Sequence, residues 1–516
     1  MIPYAPEPLS NFGDEAVAKA FQSALDEVSR QAGLEVPLVI GGKRVNTTRH
    51  IRSLNPSNRN ETVGLASQAD ELLAGAAVDA AEKAYVHWSR ETPESRADLL
   101  LKAAALLKRR KHEFSAWLVL EAGKSRVEAD ADTAEAIDFM EYYARQVGKL
   151  SARASSELFG ASGEINRLTY LPLGVGVIVS PWNFPLAILA GMTTAAIAVG
   201  NTVVVKPSSQ TPIIAYKFVE LLEDAGIPAG VVNYMPGSGE EIGDYLVQHP
   251  RVRFISFTGS KDVGLHISEL AAKVSPGQKW IKRYVAEMGG KDGIIVNHDA
   301  DLDLAAAGIV SSAFGYSGQK CSACSRAIVH KDVYDQVLDK CVKLTQKLKI
   351  GDVRDAANFT GPVIDERSQR KIIQYLEIAK QEGNVLTGGS AISADGFFIE
   401  PTIVADVQPD ARLMQEEIFG PVLAFAKAEN WDEALRIANQ TEFGLTGSIY
   451  AKSRAAIEQA KAQFHVGNLY INRKCTGATV GVHPFGGFNM SGTDSKAGGP
   501  DYLMLFTQLK LVSELL

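Results

Sequence analysis

The sequence predicts an α/β protein built from two doubly wound α/β lobes and a β-strand arm. Three observations carry this. From Gly174 onward, short β-branched runs alternate with helical patterns: "GVGVIVS", "TVVVK" (Thr202 to Lys206), "VVNYM" (Val231 to Met235) and "RFISFTG" (Arg253 to Gly259). Each precedes a helix signal, near Pro185, Thr211, Gly239 and Ser260 in turn. A second series starts at "GIIVN" (Gly293 to Asn297) and passes "GSIYA" (Gly447 to Ala451) to reach "NLYIN" (Asn468 to Asn472). Continuous apolar runs of this kind mark strands buried on both faces, hence parallel sheets with helices on each side. Third, 516 residues with 46% hydrophobic and 22% charged side chains match a globular chain of several domains.

The remaining elements follow in chain order. "DEAVAKAFQSALDEVSRQAG" (Asp14 to Gly33) has helical periodicity and a closing glycine. "LVIGGKRVN" (Leu38 to Asn46) reads as a hairpin around a Gly-Gly turn. A helix opens at Thr92-Pro93, a cap followed by proline at the first helical position, and another covers Asp132 to Val147. "YLMLFTQLKLVSELL" at the C-terminus and the segment near Ser151 to Tyr170 read as a strand pair able to dock on a neighbour. The expected division is residues 1–150 with 171–288 as one domain, 289–490 as a second, and 151–170 with 491–516 as the arm.

Composition excludes several classes. A net charge of −7 leaves no basic footprint for nucleic acid, and the cluster "KRRKHE" (Lys108 to Glu113) reads as a solvated helix face. Residues 168–205 carry no charge, yet Pro181, Asn183, Pro185, Gly191, Gly200 and Asn201 interrupt them, so the segment is core rather than a membrane span. Four cysteines form no disulfide framework, and the N-terminus shows no secretory leader. A cytoplasmic location is expected.

Several constellations can carry chemistry. "PGSGEEIG" follows a strand and opens a helix with Gly239 and Gly243, which lets backbone approach a pyrophosphate; its G-x-G-x-x-x-G spacing departs from the dinucleotide fingerprint, and an ordinary glycine turn explains it equally well. "FTGS" (Phe257, Thr258, Gly259, Ser260) makes another strand-to-helix turn, and "VKPSSQTP" puts Lys206 at a strand end, suited to ribose or phosphate oxygens or simply exposed. "SPWNFP" holds Asn183 between two prolines, as an oxyanion donor or as a turn-bound amide. "AEMGGKD" places Glu287 at a strand end, as a general base or as a loop carboxylate. In "GQKCSACSR", Cys321 and Cys324 are spaced C-x-x-C. Neither the partner ligands of a zinc site nor the setting of a redox dithiol accompanies them. A buried structural pair and a single nucleophile at Cys321, with Lys320 lowering its pKa, both stay open.

Taken in order, "PWNFP", "VKP", "FTGS", "EMGGK", "GQKC", "EEIFGP" and "HPFGGFNMSG" resemble the aldehyde dehydrogenase superfamily across nearly the whole chain. The resemblance implies a Rossmann-like cofactor lobe, a catalytic lobe and an oligomerisation arm, with NAD(P)-dependent oxidation of an aldehyde to an acid. It makes Cys321 the nucleophile, Asn183 the side-chain donor of the oxyanion hole and Glu287 the base that hydrolyses the thioester. Glu287 also speaks against acyl transfer to coenzyme A, because relatives with that activity lack it. The implied cofactor positions are Ser180, Pro181, Trp182, Lys206, Ser209, Gly239, Gly243, Phe257, Thr258, Gly259, Ser260, Glu417 and Phe419. Ser209 stands where many NAD-preferring relatives carry a glutamate, so NADP is expected to serve beside NAD.

"AEAIDFMEYYAR", "CSACSR" and "FHVGNLYINRKCTGATVGVHPFGG" are similar to one branch, the Δ1-pyrroline-5-carboxylate dehydrogenases. That likeness implies L-glutamate γ-semialdehyde as the substrate and glutamate as the product. It implies that Ser322 and the backbone amides of Gly477 and Ala478 hold the α-carboxylate, that Phe184 and Phe485 sandwich the aliphatic stem, and that Glu135 lines the aldehyde end. From the residues themselves no metal, nucleic-acid or membrane partner is expected, a homo-oligomer of at least two chains is expected from the strand-pair segments, and the chain length leaves no room for a fused proline dehydrogenase domain. The competing expectations are an enzyme for another semialdehyde or a broad range of aldehydes, and a catalytically silent member of the superfamily.

Overall fold

The computed structural model describes residues 3–154, 163–392 and 395–515. Most of the arm's first segment before Gly163, residues 155–162, therefore lies outside the described residues. Two seven-stranded sheets form the frame. In the first, the parallel strands run Arg283–Glu287, Val252–Thr258, Val175–Val179, Thr202–Lys206, Val232–Tyr234, and the hairpin Leu38–Ile40 with Lys43–Val45 closes the edge antiparallel. Gly41 and Gly42 both have positive φ (59° and 77°), as a two-residue turn matching strand twist requires. The chain order reverses between Val175–Val179 and Val252–Thr258. This is a topological switch point, the place where open α/β sheets bind ligands beyond the strand C-termini.

The second sheet orders Asn384–Thr387, Thr402–Ala405, Val422–Ala428, Arg326–His330, Gly293–Val296, Thr446–Tyr450 and Asn468–Ile471, parallel except at the first pair. Its central strands, like those of the first sheet, are buried along their length. This is the burial that continuous apolar runs demand, and helices cover both faces.

The predicted helices form where their caps stand. Asp14, Thr92 and Ser260 accept hydrogen bonds from the first turns of Glu15–Arg30, Pro93–Arg109 and Lys261–Ala272. Such caps contribute about 1 kcal/mol each. Gly239–Gly243 is a short π-type turn running into Asp244–Gln248, capped by Ser238. The helix expected over Asp132 to Val147 is longer, Arg126–Ala154. The basic cluster at Lys108 to Glu113 is not one solvated face. It spans the break between Pro93–Arg109 and Lys111–Ala122, and Lys111 is buried, 3.1 Å from Asp130.

Glu164–Pro172 pairs antiparallel with Thr507–Leu515 over its whole length. This two-stranded ribbon exposes Ile165, Leu509, Leu511, Val512 and Leu515. Among the described residues, no helix is long and apolar enough to cross a membrane.

Candidate active site

The site assembles from strand ends. Val179 pairs with Lys206 and Phe257, and Thr258 pairs with Glu287. Ser180, Lys206, Thr258 and Glu287 therefore stand side by side along one edge of the first sheet. The Ser180 N–H donates to the Lys206 carbonyl at 3.3 Å. The Lys206 ammonium is pushed down to about 8 by burial. Its stem lies against Gly243, where a Cβ would sit 3.6 Å from Lys206 Cε. At Gly239 a Cβ would meet nothing within 4 Å, so the backbone there borders open space. Gly259 is tight instead, because a Cβ would sit 2.5 Å from the Phe257 ring. Pro181 continues the loop that leaves this edge, and Ser209 lies half-buried between the strand Thr202–Lys206 and the helix Pro212–Ala225.

A cationic strand end, an open glycine turn and the Ser260-capped helix all lie at the C-terminal edge of this one sheet. That set fits a dinucleotide: cation and N–H donors face phosphate, and the switch point supplies the slot.

The second lobe meets this edge. Phe419, at φ 59°, meets Trp182 edge-on with ring centroids 5.4 Å apart. Glu417 accepts a hydrogen bond from the Gly290 N–H at 3.0 Å. Burial raises its carboxyl, while Lys371 and Lys291 partly offset the rise. A side chain at Gly289 would collide with the Glu417 carboxylate, and one at Gly290 with the Cys321 carbonyl oxygen. The two glycines of "EMGGK" thus let Glu417 and Cys321 close on the same turn from opposite sides.

Cys321 leaves a strained turn. Tyr316, Ser317 and Gly318 all have positive φ (52°, 53°, 68°), and each left-handed non-glycine costs on the order of 1 kcal/mol. The surroundings hold the turn in place. Tyr316 Oη donates to the Ala122 carbonyl at 2.7 Å, the Ser317 N–H donates to Thr360 Oγ1 at 2.7 Å, and Ser317 Oγ donates to the Gly361 carbonyl at 2.6 Å. Gln319 is locked by the carbonyls of Tyr316 and Pro362 and by the Ile364 N–H. Asn183, 5% exposed, donates Nδ2–H to the Gln319 carbonyl at 3.1 Å. The amide expected near an oxyanion is therefore tied to the turn that leads to Cys321.

Two expectations need correction or sharpening. Lys320 does not activate Cys321, because its ammonium is engaged by both oxygens of Glu128 at 2.7 Å. The thiol is instead held well above its ordinary value, first by burial and then by the charges of Asp292, Glu287, Glu417 and Glu135. Cys324 is buried, its thiol turned to the Arg326 carbonyl at 3.5 Å.

Glu287 ends its strand beside residues 491–495. The Met288 N–H donates to the Ser491 carbonyl, and the Ala286 N–H donates to Thr493 Oγ1. This packing delivers Ser495, whose Oγ donates to Glu287 Oε1 at 2.5 Å, while the Gly487 N–H donates to Oε2 at 3.3 Å. Burial pushes the carboxyl up to about 8 against those hydrogen bonds and the charge of Lys496.

Contacts fix several of the residues expected to meet the substrate. Ser322 is buried, and its carbonyl accepts from the Cys475 thiol at 3.3 Å. Gly477 has φ 79°, and the Arg473 guanidinium donates to the carbonyls of Thr476 and Gly477, both at 3.0 Å. Lys124 lies over one face of Phe184, 3.7 Å from the ring centroid. Phe485 is fixed by paired backbone hydrogen bonds with Ala497. Glu135 is pushed up to about 8 by burial and then by Asp132. Sequence reasoning missed Ser495, Gln319, Arg473 and Lys124. Arg473 and Lys474 stand directly before "CTGATV" and offered a signal.

Residues 44–512 match the aldehyde dehydrogenase family. The chain is 62% identical to 1-pyrroline-5-carboxylate dehydrogenase of Geobacillus kaustophilus over 99% of both chains. The structure of 1-pyrroline-5-carboxylate dehydrogenase from Thermus with bound NAD is 48% identical, covers both chains fully and superposes with a TM-score of 0.98. Betaine aldehyde dehydrogenase of Staphylococcus aureus in complex with NAD+ is 29% identical over 96% of this chain and 97% of its own, with a TM-score of 0.89. Motif order, the two-sheet frame and these full-length likenesses agree: the chain belongs to the aldehyde dehydrogenase family.

Proposed function

We propose that this protein oxidises L-glutamate γ-semialdehyde, the open form of Δ1-pyrroline-5-carboxylate, to L-glutamate with NAD in proline catabolism. The full-length likeness to enzymes of that name carries the reading. In our assignment, the Cys321 sulfur attacks the aldehyde carbon and releases its thiol proton. The carbonyl oxygen, now an oxyanion, is held by Asn183 Nδ2–H and the Cys321 N–H. Lys206, Glu417, Ser180, Pro181, Trp182, Ser209, Gly239, Gly243, the "FTGS" turn and Phe419 are the groups that would hold NAD. Bound NAD supplies the hydride acceptor that turns the thiohemiacetal into a thioester. Ionised Glu287 then takes a proton from water. The resulting hydroxide equivalent displaces the Cys321 thiolate from the acyl carbon, and glutamate leaves.

Ser322 Oγ–H and the Gly477 and Ala478 amides are our assigned α-carboxylate donors. Neutral donors of this kind hold an anion without a buried counter-ion. A panel of kcat/KM values tests the substrate and the cofactor together. Glutamate semialdehyde is expected to exceed succinate semialdehyde by at least about tenfold, the scale on which pocket contacts discriminate. NADP is expected within about two decades of NAD, because Ser209 brings no charge to repel a 2′-phosphate. Equal rates for the two semialdehydes contradict the substrate, and a wider cofactor gap contradicts the role of Ser209.

We further propose that residues 1–150 with 171–288 bind NAD, that 289–490 form the catalytic domain, and that 151–170 with 491–516 dock on a second copy. Support comes from the apolar ribbon exposed at Leu509, Leu511 and Leu515, since contiguous exposed apolar surface marks an interface. Light scattering is expected to give a mass of at least two chains; a monomer contradicts the docking role.

A further inference from the structure

Lys124 is fully buried and belongs to none of the assigned steps. Its ammonium lies 2.9 Å from Asp132 Oδ2, and Asp132 is buried as completely. Two aromatic faces flank the same ammonium, Phe184 at 3.7 Å and Tyr316 at 4.7 Å from their centroids. Those rings belong to two separate pieces of the site. Phe184 follows Asn183 in the loop that carries the oxyanion donor, and Tyr316 begins the left-handed turn that leads to Cys321. Asp132 reaches the same loop from its far end, where Oδ1 accepts the Ala187 N–H at 2.7 Å.

A fully buried ion pair is a weak stability device, because hydrophobic residues of equal volume usually serve as well. A desolvated cation between two rings is a strong geometric constraint. The arrangement therefore accounts for position better than for stability.

We infer that Lys124, held by Asp132, is a positioning residue for the first chemical step: it clamps Phe184 and Tyr316 and so sets Asn183 against Cys321. The inference rests on the roles assigned above to Asn183 and Cys321. It adds residues that touch neither substrate nor cofactor.

The test separates position from stability. Lys124→Met and Asp132→Asn each leave a buried charge without its ion-pair partner, so each is expected to lower both Tm and kcat. The double variant leaves no unpaired buried charge. Its Tm is expected to return close to that of the unmodified protein, while kcat stays about 100-fold low, the usual effect of a misplacement near 1 Å. KM for NAD is expected to stay within about twofold, because none of Lys124, Asp132, Phe184 and Tyr316 is among the groups assigned to NAD. A double variant that recovers both Tm and kcat overturns the inference.

If the double variant does not fold, Tyr316→Phe and Tyr316→Leu decide instead. The first keeps a ring beside the ammonium and loses only the hydrogen bond to Ala122; the second loses the ring. The leucine variant is expected at least about tenfold below the phenylalanine variant in kcat, and equal values overturn the clamp. A Cys321→Ala protein that still turns over would instead sink the underlying assignment.

Discussion

Cys321→Ala is expected to abolish aldehyde-dependent NADH formation, lowering kcat by about 10⁴-fold or more, the scale of losing a covalent nucleophile. The geometry leaves no substitute. Cys324 faces the Arg326 carbonyl, Cys475 the Ser322 carbonyl and Cys341 the Ala306 carbonyl, and all three are buried. Trading a half-buried thiol for a methyl is expected to cost about 1 kcal/mol of stability, so the variant should melt close to the unmodified protein. The change thus reports chemistry rather than folding. Residual turnover above about one part in a hundred would place the nucleophile elsewhere.

Glu287→Gln is expected to separate the two halves of the reaction. Glutamine keeps the shape of the side chain and an oxygen for Ser495 Oγ, but it cannot accept a proton from water. Acylation of Cys321 should proceed and give a stoichiometric burst of NADH. Steady turnover should then fall by about 10²- to 10⁴-fold, the contribution of a positioned general base.

The pH dependence follows from the environment. Burial holds the Glu287 carboxyl up to about 8, so below that pH it is mostly neutral and cannot act as a base. Deacylation in the unmodified protein should therefore rise with pH through about 8 and level off above it. The rising limb should vanish in the glutamine variant. Unchanged kcat with an unchanged profile would assign the base to another group.

The fold was legible where local pattern decides it. "TVVVK" and "GIIVN" became buried central strands, Asp14, Thr92 and Ser260 became caps, and the Gly-Gly pair became the hairpin turn. Glu287 and Lys206 both ended strands of the first sheet, and Asn183 in the proline-bounded loop reached the turn before Cys321. What stayed hidden depends on contacts distant in sequence. Ser495 reaches Glu287 across 208 positions, and Asn183 reaches the Gln319 carbonyl across 136. The pairing of Lys320 with Glu128 spans 192, so a lysine beside Cys321 looked like an activator until its partner was placed. Tyr316 and Ser317 adopt a left-handed backbone that their side chains disfavour; only the surrounding carbonyls and Thr360 hold them there.

The most direct measurement is the intact mass of the Glu287→Gln protein, acid-quenched after mixing with glutamate semialdehyde and NAD. A glutamyl adduct close to one per chain is expected, which proteolysis then maps to the peptide containing Cys321. A protein of unmodified mass after a full burst of NADH, or an adduct on any other residue, would contradict the nucleophile assignment.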